Sequence, residues 1–154
     1  MTDLRIEKSR YPVVVTMLGG ARLVGEVFVQ SVSRYHAGPE EPRDVLNATD
    51  PFFPLATEGG EVLLVAKDFV RDVETQDSLY QDPLERAGLM ASVVELTLAD
   101  GGRVSGAVLL SAAAGRERLL DSLNANADRF IAVYMTTGAR LVNRRLVLHV
   151  RPLD

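Results

Sequence analysis

The chain carries one pattern twice, and an internal repeat constrains architecture more than any single residue can. Residues 13–73 and 93–150 each run through the same series of features in the same order. These are an apolar strand, a Gly turn, an Arg-led strand with an internal Gly, an Asp-x-Leu-Asn, a Phe and a paired apolar–basic–apolar segment. Val13 to Leu18 falls on Val93 to Leu98, and Arg22-Leu23-Val24-Gly25 on Arg103-Val104-Ser105-Gly106. Asp44 to Asn47 falls on Asp121 to Asn124, Phe53 on Phe130, and Val65 to Val70 on Val142 to Val147. The first turn is Gly19-Gly20; the second, Ala99-Asp100-Gly101-Gly102, reads as one residue longer. Glycine supplies the positive φ that tight strand connections need. A copy of roughly 60 residues would be marginal alone. The two are therefore expected to share a core or an interface, with equivalent edges of the copies meeting, or two chains doing so. The boundaries are 1–74 for the first repeat, 75–91 for a linker with a short helix, and 92–154 for the second repeat.

Within the linker, Asp82 followed by Pro83 is an N-cap with Pro at the first helical position, which predicts a short helix over 82–87. Residues 2–10 are its weaker counterpart. Leu119, Leu120 and Leu123 share one helical face and predict a helix over 115–124. In the first copy Pro42 and Pro51 limit the equivalent to one or two turns. The Gly- and Pro-containing insertion over 35–42 reads as an exposed loop. Strand alternation places Val94, Leu96 and Leu98 inward. By the alignment above, Val14, Thr16 and Leu18 follow them, which turns Val13, Val15 and Met17 outward. On the next strand Leu23, Gly25, Val27 and Val29 point in, while Val24 and Phe28 point out. Val13, Val15, Met17, Val24 and Phe28 are thus the candidate partner-binding face, to be covered by copy 2, a second subunit or a partner, because an apolar face of that size is rarely left in water; the alternative is a sheet covered on both sides within the monomer. Gly25 and Gly106, both mid-strand and inward, mark a bend or a close approach of backbone.

With 154 residues, 47% hydrophobic, the chain is no disordered tail, and its net charge of -4 argues against a nucleic-acid-coating surface. Cysteine is absent, which removes disulfides, thiol catalysis and thiolate metal sites. His36 and His149 lack metal-ligand spacing with any acid or each other. No Ser or Asp has a plausible base beside it, and Glu40-Glu41 is a pair of loop charges. No catalytic residue, metal site or cofactor is therefore expected, and the chain reads as a non-enzyme. The first residues have no signal-peptide shape and no apolar run is long enough to span a bilayer, so the expected location is the cytoplasm.

These residues resemble an Sm-like (SH3-like small barrel) fold written twice. Leu18-Gly19-Gly20 through Gly25, Asp44 to Asn47, and Val65-Ala66-Lys67-Asp68 resemble the Sm motifs. Leu98 to Gly106, Asp121 to Asn124, and Val142-Asn143-Arg144-Arg145 do so again. The Asp and Asn are one residue closer than in that motif, and the Gly after the basic residue is missing. The chain is more similar still to an uncharacterised bacterial repeat family with an Arg-Leu-x-Asp-x-Leu-Asn and Phe pattern, which implies no activity. The Sm resemblance implies single-stranded RNA binding at Asn47, Lys67, Asn124 and Arg144. Against this stand the missing stacking aromatic and the acidic balance. The bland role for Asp44, Asn47, Asp121 and Asn124 is to cap a helix or stitch a turn.

The expectation is a mainly β (α+β) protein. It consists of two tandem Sm/SH3-like repeats, each with a short helix, in a pseudo-two-fold arrangement. Its expected function is that of a non-enzymatic adaptor or assembly module of a bacterial-type cytosol. It would bind a protein partner or a second copy of itself through the outer face of copy 1 and the inserted loop. The alternatives are an Sm-like RNA-binding protein and a small-ligand sensor in the cleft between copies.

Overall fold

In the computed structural model, residues 8–33, 38–76, 90–110 and 117–153 are described. The segment 82–87 lies outside them, as do residues 34–37 of the inserted loop and residues 1–7. The chain is mainly β. Among the described residues ten strands form one antiparallel sheet in the order β10-β6-β7-β8-β9-β5-β1-β2-β3-β4. They are β1 (Lys8–Met17), β2 (Arg22–Gln30), β3 (Phe52–Thr57), β4 (Val62–Ala66) and β5 (Val70–Thr75), then β6 (Met90–Leu98), β7 (Arg103–Leu110), β8 (Phe130–Met135), β9 (Gly138–Asn143) and β10 (Val147–Pro152). Among the described residues two short helices, α1 (Pro42–Asn47) and α2 (Glu117–Ala125), precede β3 and β8. Residues 8–10, expected as part of a helix, belong to β1.

The order within β6–β10 is that of β1–β5 moved along by five strands. Several details coincide. A register shift falls between Thr16 and Met17 against β5, and another between Val147 and His149 against β6. A 3-10 turn follows β4 at Lys67–Phe69 and β9 at Arg144–Leu146. The hairpin turns have one length, because Met17 N–H donates to Ala21 O at 2.8 Å and Leu98 N–H to Gly102 O at 2.8 Å. The longer second turn expected from the sequence is therefore not found.

That equality shifts the β1 alignment by one residue. Gly25 pairs with Val13, and Gly106 with Val94, so Val13 corresponds to Val94 and Val15 to Leu96. A one-residue slip turns a whole strand over. Val13 and Val15 are accordingly core residues and Met17 packs against the core, whereas Leu18 is exposed and Val14 and Thr16 are half-buried. The outward placement of Val13, Val15 and Met17 is corrected. On β2 the alternation holds: Val27 and Val29 are buried, Val24 is exposed and Phe28 half-buried. In the second half Val94, Leu96 and Leu98 are buried as expected. At Gly25 and Gly106 the backbone of the neighbouring strand leaves no room for a side chain. An added Cβ would strike the Ala56 carbonyl oxygen at the first and the Tyr134 carbonyl oxygen at the second.

The halves join through β5 and β9, with Val73 opposite Leu141 and Thr75 opposite Ala139. By strand order the counterpart of β9 in the first half is β4, so unlike edges meet. The junction is head-to-tail, and the expected meeting of equivalent edges in a pseudo-two-fold arrangement is replaced by it. One core cluster spans the junction, adding Phe130, Tyr134, Ala139 and Leu141 to residues of the first half. A second cluster lies within the second half, around Leu96, Leu98, Val133 and Val142.

Candidate functional site

The β5–β9 junction shows what the two ends of such a sheet can do when they meet. Its apolar side is made by residues of β8 and β9 lying on the first half. Phe130 is 1% exposed, Ala139 2% and Leu141 0%. Its polar side is ionic. Arg71 Nη1 lies 3.2 Å from Asp100 across the halves and Arg71 Nε 3.2 Å from Asp72. Arg140 lies 3.5 Å from Glu74. Burial pushes the Asp72 carboxyl above the usual carboxylate range, against the pull of Arg71 and Arg140. Asn143, buried beneath, donates from Nδ2 to Val70 O at 2.9 Å and accepts from Arg145 N–H at 3.1 Å.

The same positions at the far end of the first half are bare. By pairing register, Phe52 faces Ala66 as Phe130 faces Asn143, and Val62 and Leu64 take the places of Ala139 and Leu141. Phe52 is 55% exposed, Val62 52% and Leu64 72%. The expected match of Phe53 with Phe130 is thus displaced by one residue: Phe53 is core and corresponds to Ile131. The opposite end of the sheet is open too. Val70, Val73 and Leu46 are fully buried, whereas their counterparts Val147, Val150 and Leu123 are only partly buried, and Leu148 and His149 are exposed. Among the described residues the sheet therefore ends in an apolar β4 edge and an incompletely covered β10 edge. Of the face expected to bind a partner, Val24 stays exposed, and Phe28 lies beneath the Arg10 guanidinium at 5.2 Å.

The residues that the Sm resemblance singles out do not form one surface. Lys67 is buried, with Nζ donating to Val45 O at 2.7 Å and Ala48 O at 2.9 Å. Its 3-10 turn tucks it under the C-terminal carbonyls of α1, where a cation is favoured. Burial, with Arg129 adding to it and Asp50 opposing, lowers its pKa from 10.5 to about 8. Asn47 Oδ1 accepts the Phe130 N–H at 2.7 Å, a bond between the halves. Asn124 and Arg144, the counterparts in the second half, are exposed. Asp44 Oδ2 accepts Glu41 N–H at 2.9 Å and closes a capping box at the start of α1.

A cleft of about 220 Å³ lies between the helices and β7–β8, lined by Arg43, Asn47, Leu119, Leu123, Phe130 and Tyr134. Its Asn47 is already bonded, and its Arg43 sits 3.0 Å from Glu41. Among the described residues no group of three or more His, Asp or Glu is placed to hold a metal. Among them no helix is long and apolar enough to cross a membrane. Two signals missed at the level of sequence are Phe52, hidden in the Phe52-Phe53 doublet, and the buried Asn143. Comparison with protein-family models, curated proteins and solved structures finds no match to this chain.

Proposed function

We propose that the chain is a non-enzymatic interaction and assembly module of the cytoplasm, built from two copies of one Sm/SH3-like β unit and acting through its sheet ends. The observation that carries the reading is the Phe52, Val62 and Leu64 patch, which is bare at one end of the sheet although the corresponding residues are buried at the junction. Exposed apolar residues set together on a sheet edge favour association over solvation. The RNA-binding alternative has less support, because Lys67 and Asn47 spend their polar groups inside the protein. The small-ligand alternative is limited because Asn47 and Arg43 of the cleft are already engaged. The test is a Phe52→Asp, Leu64→Asp double variant. It should fold and melt as the parent does, yet lose partner capture from lysate and any concentration-dependent gain of mass. A folded double variant that retains both would refute the reading.

A further inference from the structure

We infer that the occupant of the β4 edge is the β10 edge of a second copy of this chain, in the register of the internal β5–β9 junction. The inference rests on the interaction-module reading and names its partner. Four observations carry it. Among the described residues the sheet has unlike free ends, β4 and β10. Strand order makes β4 the counterpart of β9, and β10 that of β5, the two strands already paired inside the chain. Phe52, Val62 and Leu64 expose the apolar area that Phe130, Ala139 and Leu141 bury. Val147, Val150 and Leu123 are left partly uncovered where Val70, Val73 and Leu46 are sealed by the second half. Each end thus lacks the cover that the other supplies. A contact between unlike ends is heterologous and can continue from chain to chain.

Carrying the internal register across places Val150 opposite Leu64, His149 opposite Val65 and Arg151 opposite Leu63. The copy is imperfect, and its defects are informative. Leu153 N–H bonds inward to Val93 O at 2.8 Å, so alternation turns the nitrogen of residue 152 to the free edge, where Pro152 has no hydrogen to give. Glu61 also stands where the internal junction uses Gly138, at which an added Cβ would collide with the Thr75 carbonyl oxygen. The ladder therefore stops at Arg151 and Leu63. Arg140, which pairs with Glu74 inside the chain, is replaced by Leu63 facing Arg151, so the outer junction has no such ion pair. Association between chains is apolar, shorter than the internal junction and reversible.

Two edge-specific variants test this on the full chain. Leu64→Lys puts a charge on the β4 edge. Val150→Pro removes an outward N–H from β10; Leu148→Lys replaces it should Val150→Pro fail to melt cooperatively. The readout is mass by light scattering over a concentration series. The expected result is concentration-dependent multimers for the parent, at least a tenfold weaker association for either variant alone, and a one-to-one dimer, no larger, when the two are mixed. Only one intact pair of ends remains in that mixture, and unlike ends alone give this outcome. Association of Val150→Pro with itself at parental strength would mean β4 meets β4 and would overturn the proposal. A parent that stays monomeric at all concentrations would overturn it as well. If lysate capture is then still lost in the Phe52, Leu64 double variant, the interaction reading survives with a different protein as occupant; if not, both fall.

Discussion

Phe130 and Phe52 occupy corresponding positions in opposite surroundings, so truncating each to Ala separates the energetics of the closed junction from those of the open one. Phe130 is 1% exposed and packs in the cluster that joins the halves. Burying a Phe side chain is worth about 1.5–3 kcal/mol, and a cavity where β8 meets the first half raises the cost of Phe130→Ala to about 3–5 kcal/mol. Phe52 is 55% exposed, so less than half of the transfer free energy is at stake and Phe52→Ala should cost about 1 kcal/mol in a dilute, monomeric sample. If a second chain covers the rest, the same substitution removes roughly 1 kcal/mol more at high concentration, about a fivefold weakening of association. Urea unfolding of both variants at low protein concentration gives the first two numbers, and light scattering of Phe52→Ala gives the third. Equal destabilisation by the two substitutions in the monomer would refute the reasoning, because it would mean Phe52 is already covered within the chain.

Lys67→Met should cost about 1–3 kcal/mol, since the carbonyls of Val45 and Ala48 lose their donor. In the parent, the folded chain releases the Lys67 proton near pH 8 and the unfolded chain near 10.5, so between these values the unfolded state holds more protons and this group makes stability rise with pH. Denaturant midpoints across that range should climb in the parent relative to Lys67→Met, and parallel profiles would contradict the assignment. Asn47→Ala should destabilise by about 1–3 kcal/mol by orphaning the Phe130 N–H, whereas Asn124→Ala on the surface should stay within about 0.5 kcal/mol; thermal melts distinguish them. Gly106→Ala should cost about 1–3 kcal/mol or more through collision with the Tyr134 carbonyl, seen as a lowered urea midpoint with an unchanged slope.

Much of the β architecture is legible in the sequence, and the points that are not have physical causes. The alternation of Val94, Glu95, Leu96, Thr97 and Leu98 sorts inside from outside without help. Val13-Val14-Val15 offers no such contrast, so its phase hangs on the neighbouring turn, and aligning on the turn glycines slips the strand by one. Gly25 and Gly106 are firmer anchors, because a carbonyl oxygen sits where any side chain would go. The Phe52-Phe53 doublet hides its exposed member for the same reason: two like residues in succession carry no phase. Lys67 reads as a surface cation, since nothing local reveals that the 3-10 turn slides it under α1. The pairing of β5 with β9 rather than with its own counterpart is set by contacts distant in sequence, to which local periodicity is blind.

The central claim is that the sheet ends in two complementary edges, and amide hydrogen exchange at low and high protein concentration tests it most directly. The expected result is that the amides of Leu64 and Val150, which face the free edges, gain protection together as concentration rises, while those of β5 and β9 stay equally protected throughout. Edge amides whose exchange does not change with concentration, or protection gained at β4 alone, would contradict it.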